Sequence, residues 1–167
     1  MYIIPLTRLK IDKNYSRKPK IILLKGEVFM NFINVTIAGS GVLGSQIAFQ
    51  SAFFGFNVSV YDINTGAIEA AKGRMTTLKK TYGEYFNDTD RAEKAFDSLK
   101  FFTDLAEATK DADIVVEAVP ERIEIKQSFY ENLGKVAPEK TVFASNSSTL
   151  LPSQFAAYTG RPEKFLA

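Results

Sequence analysis

The stretch from Ile33 to Asp62, INVTIAGSGVLGSQIAFQSAFFGFNVSVYD, constrains what this chain can fold into more than any other part of it. It opens on an apolar, β-branched run (Ile33, Val35, Ile37, Ala38) and turns at once through Gly39, Gly41 and Gly44, spaced G-x-G-x-x-G. Val42 to Phe54 carries apolar residues at Leu43, Ile47, Ala48, Ala52 and Phe53, a pattern compatible with a helix, and Gly55 fits a helix stop. A second β-branched run, Val58 to Val60, ends at Tyr61 and Asp62. Each glycine has a physical job in such a unit. Gly39 permits the tight turn off the strand, Gly41 removes the Cβ that would block a pyrophosphate, and Gly44 lets helix and strand pack closely. The helix start offers free N–H groups and the positive end of its dipole. Asp62 lies 18 residues past Gly44, where a carboxylate can accept hydrogen bonds from both hydroxyls of a ribose. Glycine turns are common, so the spacing alone is a weak signal. The order strand, turn, helix, strand, acid points to a dinucleotide site rather than to a purely structural turn.

At 167 residues the chain amounts to about one domain with a substantial core. An apolar content of 46% and a charged content of 24% suit a globular protein. No apolar run approaches the ~20 residues of a membrane span, so no membrane partner is expected. The chain has neither cysteine nor histidine. Disulfides and thiolate metal sites are excluded from these residues, and the commonest general base and metal ligand are missing, so no metal site is expected. Nothing in the sequence indicates secretion, and the expected location is cytoplasmic.

The net charge of +2 hides an asymmetry. Residues 1–29 carry seven basic side chains against Asp12 and Glu27, whereas the remainder carries 14 basic and 17 acidic. The basic balance belongs to this leader, which lacks clear periodicity and reads as an extension, either disordered or packed on the domain. A nucleic-acid partner would have to rest on the leader alone, and none is expected. Residues 30–167 form the expected domain.

After Asp62, the pattern predicts a helix over about Thr65–Tyr82, with Ala67, Ile68, Ala71, Met75 and Leu78 on one face and Gly83 as its breaker. Asn87 or Asp88 can cap a second helix, Thr89–Leu99. A short strand at Phe101–Phe102 and a short helix over Asp104–Lys110 follow. Asp113–Val119 is a continuous apolar run, as expected of a strand buried on both faces, and Pro120 ends it. Glu121–Val136 reads as a helix with Ile125, Phe129 and Leu133 inward, and Thr141–Ser145 as another buried strand. Pro152 suits the first turn of a helix through Tyr158, and Lys164–Ala167 begins a further apolar run. Strands alternating with helices imply an α/β fold: a Rossmann-type, doubly wound, mostly parallel sheet with helices on both faces and a helical insertion after the second strand. Ligands on such sheets bind at the carboxyl ends of the strands. Gly39–Gly44, Asp62, Ala118–Glu121 and Asn146–Ser148 all fall there.

Two further constellations stand at those ends. Glu117 lies inside an apolar strand, where an unpaired carboxylate is costly to bury. It is either a strand-end acid that meets solvent or a helix N-terminus, or a neighbour of a pair, Glu121 and Lys126, that flanks the cofactor at the rim of the crevice. Ser145-Asn146-Ser147-Ser148-Thr149 is a run of short polar groups that can bind ligand hydroxyls and carbonyls, or cap the helix that follows.

Together, AGSGVLGSQIA, YDIN, EAVPERIEIK and ASNSSTLLPS resemble the NAD-binding domain of 3-hydroxyacyl-CoA dehydrogenases, over about Asn31 to Ala167. L-gulonate and carnitine dehydrogenases share the more specific E-A-V-P-E…K and S-N-S-S segments, so the resemblance leaves the substrate open. It implies NAD as cofactor, held by Gly39, Gly41, Val42, Leu43, Gly44, Asp62, Ala118, Glu121, Lys126 and Asn146. It implies that Ser148 sits between nicotinamide and substrate, hydrogen-bonds the reacting oxygen, and so is the catalytic residue within this chain. The family's acyl-CoA binders use a serine or threonine and a lysine on the helical insertion. Thr77 can supply the first, while Gly83 and Glu84 stand where the lysine is expected. The family's histidine base follows a segment like EKFLA, and a helical domain that completes the substrate pocket and dimerises follows it. The expectation is an L-3-hydroxyacyl-CoA dehydrogenase-like oxidoreductase, homodimeric at full length, with a CoA thioester as small-molecule substrate. The alternatives are a non-catalytic NAD-binding module or a related dehydrogenase for a non-CoA 3-hydroxy compound. These 167 residues by themselves are expected to bind NAD without turnover.

Overall fold

The computed structural model describes residues 32–166, so the basic leader lies outside the described residues. The first unit follows the glycine motif: β1 (Asn34–Ala38), α1 (Val42–Phe53) and β2 (Asn57–Tyr61). Gly39 has φ +106°, and a Cβ there would stand 2.3 Å from the Ala118 carbonyl oxygen. Gly55, at φ 90°, turns the chain out of α1. Two helices follow, α2 (Thr65–Phe86) and α3 (Thr89–Ser98), and then β3 (Lys100–Phe102), α4 (Leu105–Thr109) and β4 (Ile114–Glu117). The last third comprises α5 (Ile123–Val136), β5 (Val142–Ser145), α6 (Ser153–Ala156) running into a 3-10 turn at Ala157–Thr159, and the two-residue β6 (Phe165–Leu166).

All pairings are parallel, in the order β3-β2-β1-β4-β5-β6. The described part of the chain therefore begins in the middle of the sheet, winds outward one way through β3, then returns to lay β4 against β1 and winds outward the other way. This is the doubly wound arrangement expected from the sequence. Successive strand residues alternate between faces, so β1 sends Val35 and Ile37 to one core with Ala48, Phe49, Phe53 and Met75 from α1 and α2. Ala38 and Val115 go to the other, with Phe129, Tyr130 and Leu133 of α5 and Phe155 of α6. Full burial of a side chain such as Phe49 or Phe53 stabilises by roughly 1.5–3 kcal/mol.

Gly83 does not break α2. The helix runs on to Phe86 and stops at Asn87, whose left-handed backbone (φ 51°) ends it, while Asp88 caps α3 by accepting from the Arg91 N–H. A glycine inside a helix costs only about 1 kcal/mol, and here close packing uses it: a Cβ on Gly83 would lie 3.3 Å from Thr89 Cα. Helix α5 starts at Ile123 rather than Glu121, because Pro120–Arg122 forms a turn closed by Arg122 N–H to the Pro120 carbonyl at 2.7 Å.

Candidate functional site

Because the strands are parallel, Ala38, Tyr61, Glu117 and Ser145 all end on one edge of the sheet, and the loops after them meet there. The reversal between β1 and β4 falls at this edge, the place of the ligand crevice in doubly wound sheets. Its floor is the glycine turn. A Cβ on Gly44 would stand 1.8 Å from the Gly39 carbonyl oxygen, so Gly44 holds α1 against the turn. A Cβ on Gly41 would meet no atom within 4 Å. Gly41 thus borders open space that a side chain would fill, which is what a cradle for a diphosphate requires. No side chain caps α1, whose first turn also exposes Val42 and Leu43.

Asp62 stands beside this floor. Its Oδ2 accepts from the Ser40 N–H (2.9 Å) and Ser40 Oγ (2.7 Å), and its Oδ1 accepts from the Asn64 N–H at 3.0 Å. Three protein donors orient the carboxylate and leave Oδ1 with acceptor capacity toward the crevice. Arg74, on α2, reaches the same turn: its Nη2 donates to the Ser40 carbonyl at 2.6 Å and its Nε to Ser45 Oγ at 3.1 Å.

Across the crevice, β4 ends on Glu117, which meets neither solvent nor a helix N-terminus. It is buried against Lys126, whose Nζ lies 2.7 Å from both carboxylate oxygens. The Val119 N–H, Ser145 Oγ and Tyr130 hydroxyl donate to it as well, at 2.9, 2.9 and 3.1 Å. Burial, and then the charge of Glu117, push the Tyr130 phenol well above its ordinary pKa, so it stays a proton donor. Lys126 also pairs with Glu121 at 3.0 Å. Its amine is therefore enclosed between two carboxylates, and only Glu121, with its side chain 38% exposed, faces outward.

Glu121 in turn grips the loop after β5. Ser147 Oγ and Thr149 Oγ1 both donate to its Oε1. The Ser147 hydroxyl, with help from Lys126, holds the Glu121 pKa at about 2, against the opposing effect of burial. Ser147 Oγ also accepts from the Leu150 N–H at 3.2 Å, a local turn, while α6 has no side-chain cap. The polar run therefore does not cap the helix that follows; Ser147 closes a turn within the loop instead. Asn146 and Ser148 remain exposed at the crevice.

The structure therefore brings Gly39–Gly44, Asp62, Ala118, Glu121, Asn146 and Ser148 to one edge, with Lys126 just beneath it. Ala118 lies 3.6 Å from a Cβ built on Gly44 and lines the turn. Thr77 is exposed on α2, and no hydrogen bond or ion pair among the described residues ties its side chain to the crevice. Sequence reasoning missed Ser40, Arg74 and the partners of Glu117. One signal was present for Lys126: it shares the spacing i, i+3, i+4, i+7 with Phe129, Tyr130 and Leu133, the buried stripe of α5. No group of three or more metal-ligating residues occurs among the described residues.

A doubly wound sheet with an uncapped helix behind a glycine turn, a carboxylate at the end of the second strand and a polar loop across the switch point defines a dinucleotide-binding domain of Rossmann type. The model of the 3-hydroxyacyl-CoA dehydrogenase NAD-binding domain matches residues 34–167, and the chain belongs to that family. NAD is its cofactor, and the residues of the crevice fit it. The probable 3-hydroxybutyryl-CoA dehydrogenase of Bacillus subtilis (strain 168) is 32% identical over 137 residues, covering 82% of this chain and 48% of that one. The solved structure of 3-hydroxybutyryl-CoA dehydrogenase from Escherichia coli K12 matches with a TM-score of 0.75 and 29% identity over 81% of this chain and 29% of that one. A diketoreductase described as acting on dicarbonyl compounds matches with a TM-score of 0.78 and 53% identity, over 80% of this chain and 48% of that one. The chain spans about half the length of the curated relatives it matches.

Proposed function

We propose that the chain is the cofactor-binding half of an oxidoreductase that moves hydride between NAD and C3 of a 3-hydroxy or 3-oxo compound. The observation that carries this is the convergence of the glycine cradle, Asp62, Glu121 and the Asn146–Ser148 loop on one crevice. The nicotinamide supplies the hydride acceptor. The chain's own contribution is positioning and polarisation. The cradle and Asp62 hold the adenosine diphosphate end. Glu121, anchored by Lys126, faces the other half of the dinucleotide. The exposed Ser148 hydroxyl donates a hydrogen bond to the reacting oxygen. The base that the resemblance implies for the substrate hydroxyl is a histidine, and the chain has none.

Two observations favour a non-CoA substrate as a second reading. Identity to the diketoreductase, 53%, exceeds the 32% and 29% found with the two 3-hydroxybutyryl-CoA dehydrogenases. Gly83 and Glu84 also stand where the resemblance implies a CoA-binding lysine. A panel of 3-hydroxybutyryl-CoA, free 3-hydroxy acids and diketones, assayed with the full-length protein by nicotinamide absorbance, separates the two. Turnover of none of them overturns both.

A further inference from the structure

We propose that Arg74 is a positioning residue of the phosphate cradle, fixing the Ser40–Gly41 peptide so that the Gly41 N–H is presented to the diphosphate. This rests on the dinucleotide reading of the crevice. Ser40 is the pivot. It is fully buried between the first two glycines. Its N–H and Oγ are taken by Asp62, at the end of β2. Its carbonyl is taken by the guanidinium of Arg74, from α2, at 2.6 Å. The second Arg74 contact, Nε to Ser45 Oγ, anchors the fork to the first turn of α1, and Ser45 Oγ itself lies 3.0 Å from the Ser40 carbonyl.

In a trans peptide the carbonyl and the following N–H point in opposite directions, and no described peptide is cis. Drawing the Ser40 carbonyl toward α2 therefore turns the Gly41 N–H away from α2. Glycine is the residue least able to hold its own peptide plane, since it has the widest choice of backbone conformations. The absent Cβ that lets a phosphate approach Gly41 also leaves this turn dependent on its hydrogen bonds, those from Ser45 within the motif and that from Arg74 outside it. A flipped peptide would aim a carbonyl at a phosphate. The rigid fork of an arginine, with two donors at fixed geometry, prevents this from outside the ligand's reach, which a lysine cannot do in the same way.

Calorimetric titration of the chain with NAD and with ADP, beside ligand-observed NMR with adenosine, tests the assignment. Arg74→Ala should weaken NAD and ADP by about tenfold or more, leave adenosine unchanged and shift the Gly41 amide resonance. Arg74→Lys keeps the charge and should fall nearer to Arg74→Ala than to the parent, which keeps the test open if the alanine variant does not fold. Arg74→Lys equal to the parent would leave charge alone as the role of Arg74 and overturn the proposal. So would equal losses for adenosine together with a lowered Tm, or no change at all. If the parent binds neither NAD nor ADP, the dinucleotide reading and this assignment fall together.

Discussion

The Nζ of Lys126 lies 2.7 Å from both carboxylate oxygens of Glu117, and each side chain is only 1% exposed. Each is the other's fully buried counter-charge, with Glu121 as a second, more exposed partner of Lys126. Removing one partner of a buried pair commonly costs about 3–5 kcal/mol, because the survivor is left desolvated and uncompensated. We expect Lys126→Met to lose that order of stability in urea unfolding. The double variant with Glu117→Gln should recover most of it. A double variant no more stable than the single would mean that charge pairing is not what holds this part of the site.

Two glycines of the same motif should part company. Gly44→Ala puts a Cβ 1.8 Å from the Gly39 carbonyl and is expected to lower Tm and abolish NAD binding together. Gly41→Ala meets no protein atom within 4 Å, so it should keep Tm nearly unchanged and still lose NAD. Thermal melts with and without NAD distinguish them. An unaltered NAD affinity in Gly41→Ala would take Gly41 out of the cradle.

Three protein donors hold the Asp62 carboxylate in place, and on the proposed reading its negative charge stands where a 2′-phosphate would have to sit. NAD should bind at least about tenfold more tightly than NADP, or ~1.4 kcal/mol. Asp62→Asn should narrow that ratio, mostly by weakening NAD. Calorimetry with both cofactors measures it, and equal affinities in the parent would remove the role.

Ser148→Ala in the full-length protein should lower kcat by about ten- to a thousandfold, the loss of one polar stabiliser of the reacting oxygen, with little change in NAD affinity. A drop in Tm with kcat preserved would make Ser148 a structural residue of its loop.

Acid should act on the rim of the crevice. The Glu121 pKa falls from 4.5 to about 2 in the folded chain. A depressed folded-state pKa contributes stability that is present above the unfolded value and is lost as pH falls through the folded one. Asp113 behaves alike: burial alone would raise its pKa, but hydrogen bonds from Lys140 and the Asn34 and Ile33 N–H groups bring it below 3.8. Stability should therefore decline from about pH 4.5 down to about 2. Glu121→Gln should flatten part of that decline, and identical acid melts for parent and variant would refute the Ser147 contact.

The sequence made the first βαβ unit legible because each of its signals is local: glycine spacing, a change of period from strand to helix, and an acid at the end of the second strand. The switch-point loops were legible for the same reason, as polar residues stopping apolar runs. Gly83 misled because a buried close approach to Thr89 outweighed its helix-breaking tendency, and such an approach is tertiary. The partner of Glu117 stands nine residues on, on another element, and only the inward stripe of α5 hinted at it. Nothing local ties Arg74 to Ser40, 34 residues away, and this is why the support of the cradle went unread while the cradle itself did not.

The placement of β4 beside β1 has a consequence for how the chain reaches its final state. Val35 pairs with Val58 across 23 residues but with Ile114 across 79. Closing the longer loop costs more chain entropy, and distant pairings slow folding. The crevice lies on the seam between the near and the far pairing. A chain that has assembled only its first three strands already owns the glycine turn and Asp62, yet has nothing opposite them. Affinity for the whole cofactor then requires both halves of the sheet, and a dinucleotide lying across the seam would act as a clasp that favours the completed molecule over a partly assembled one.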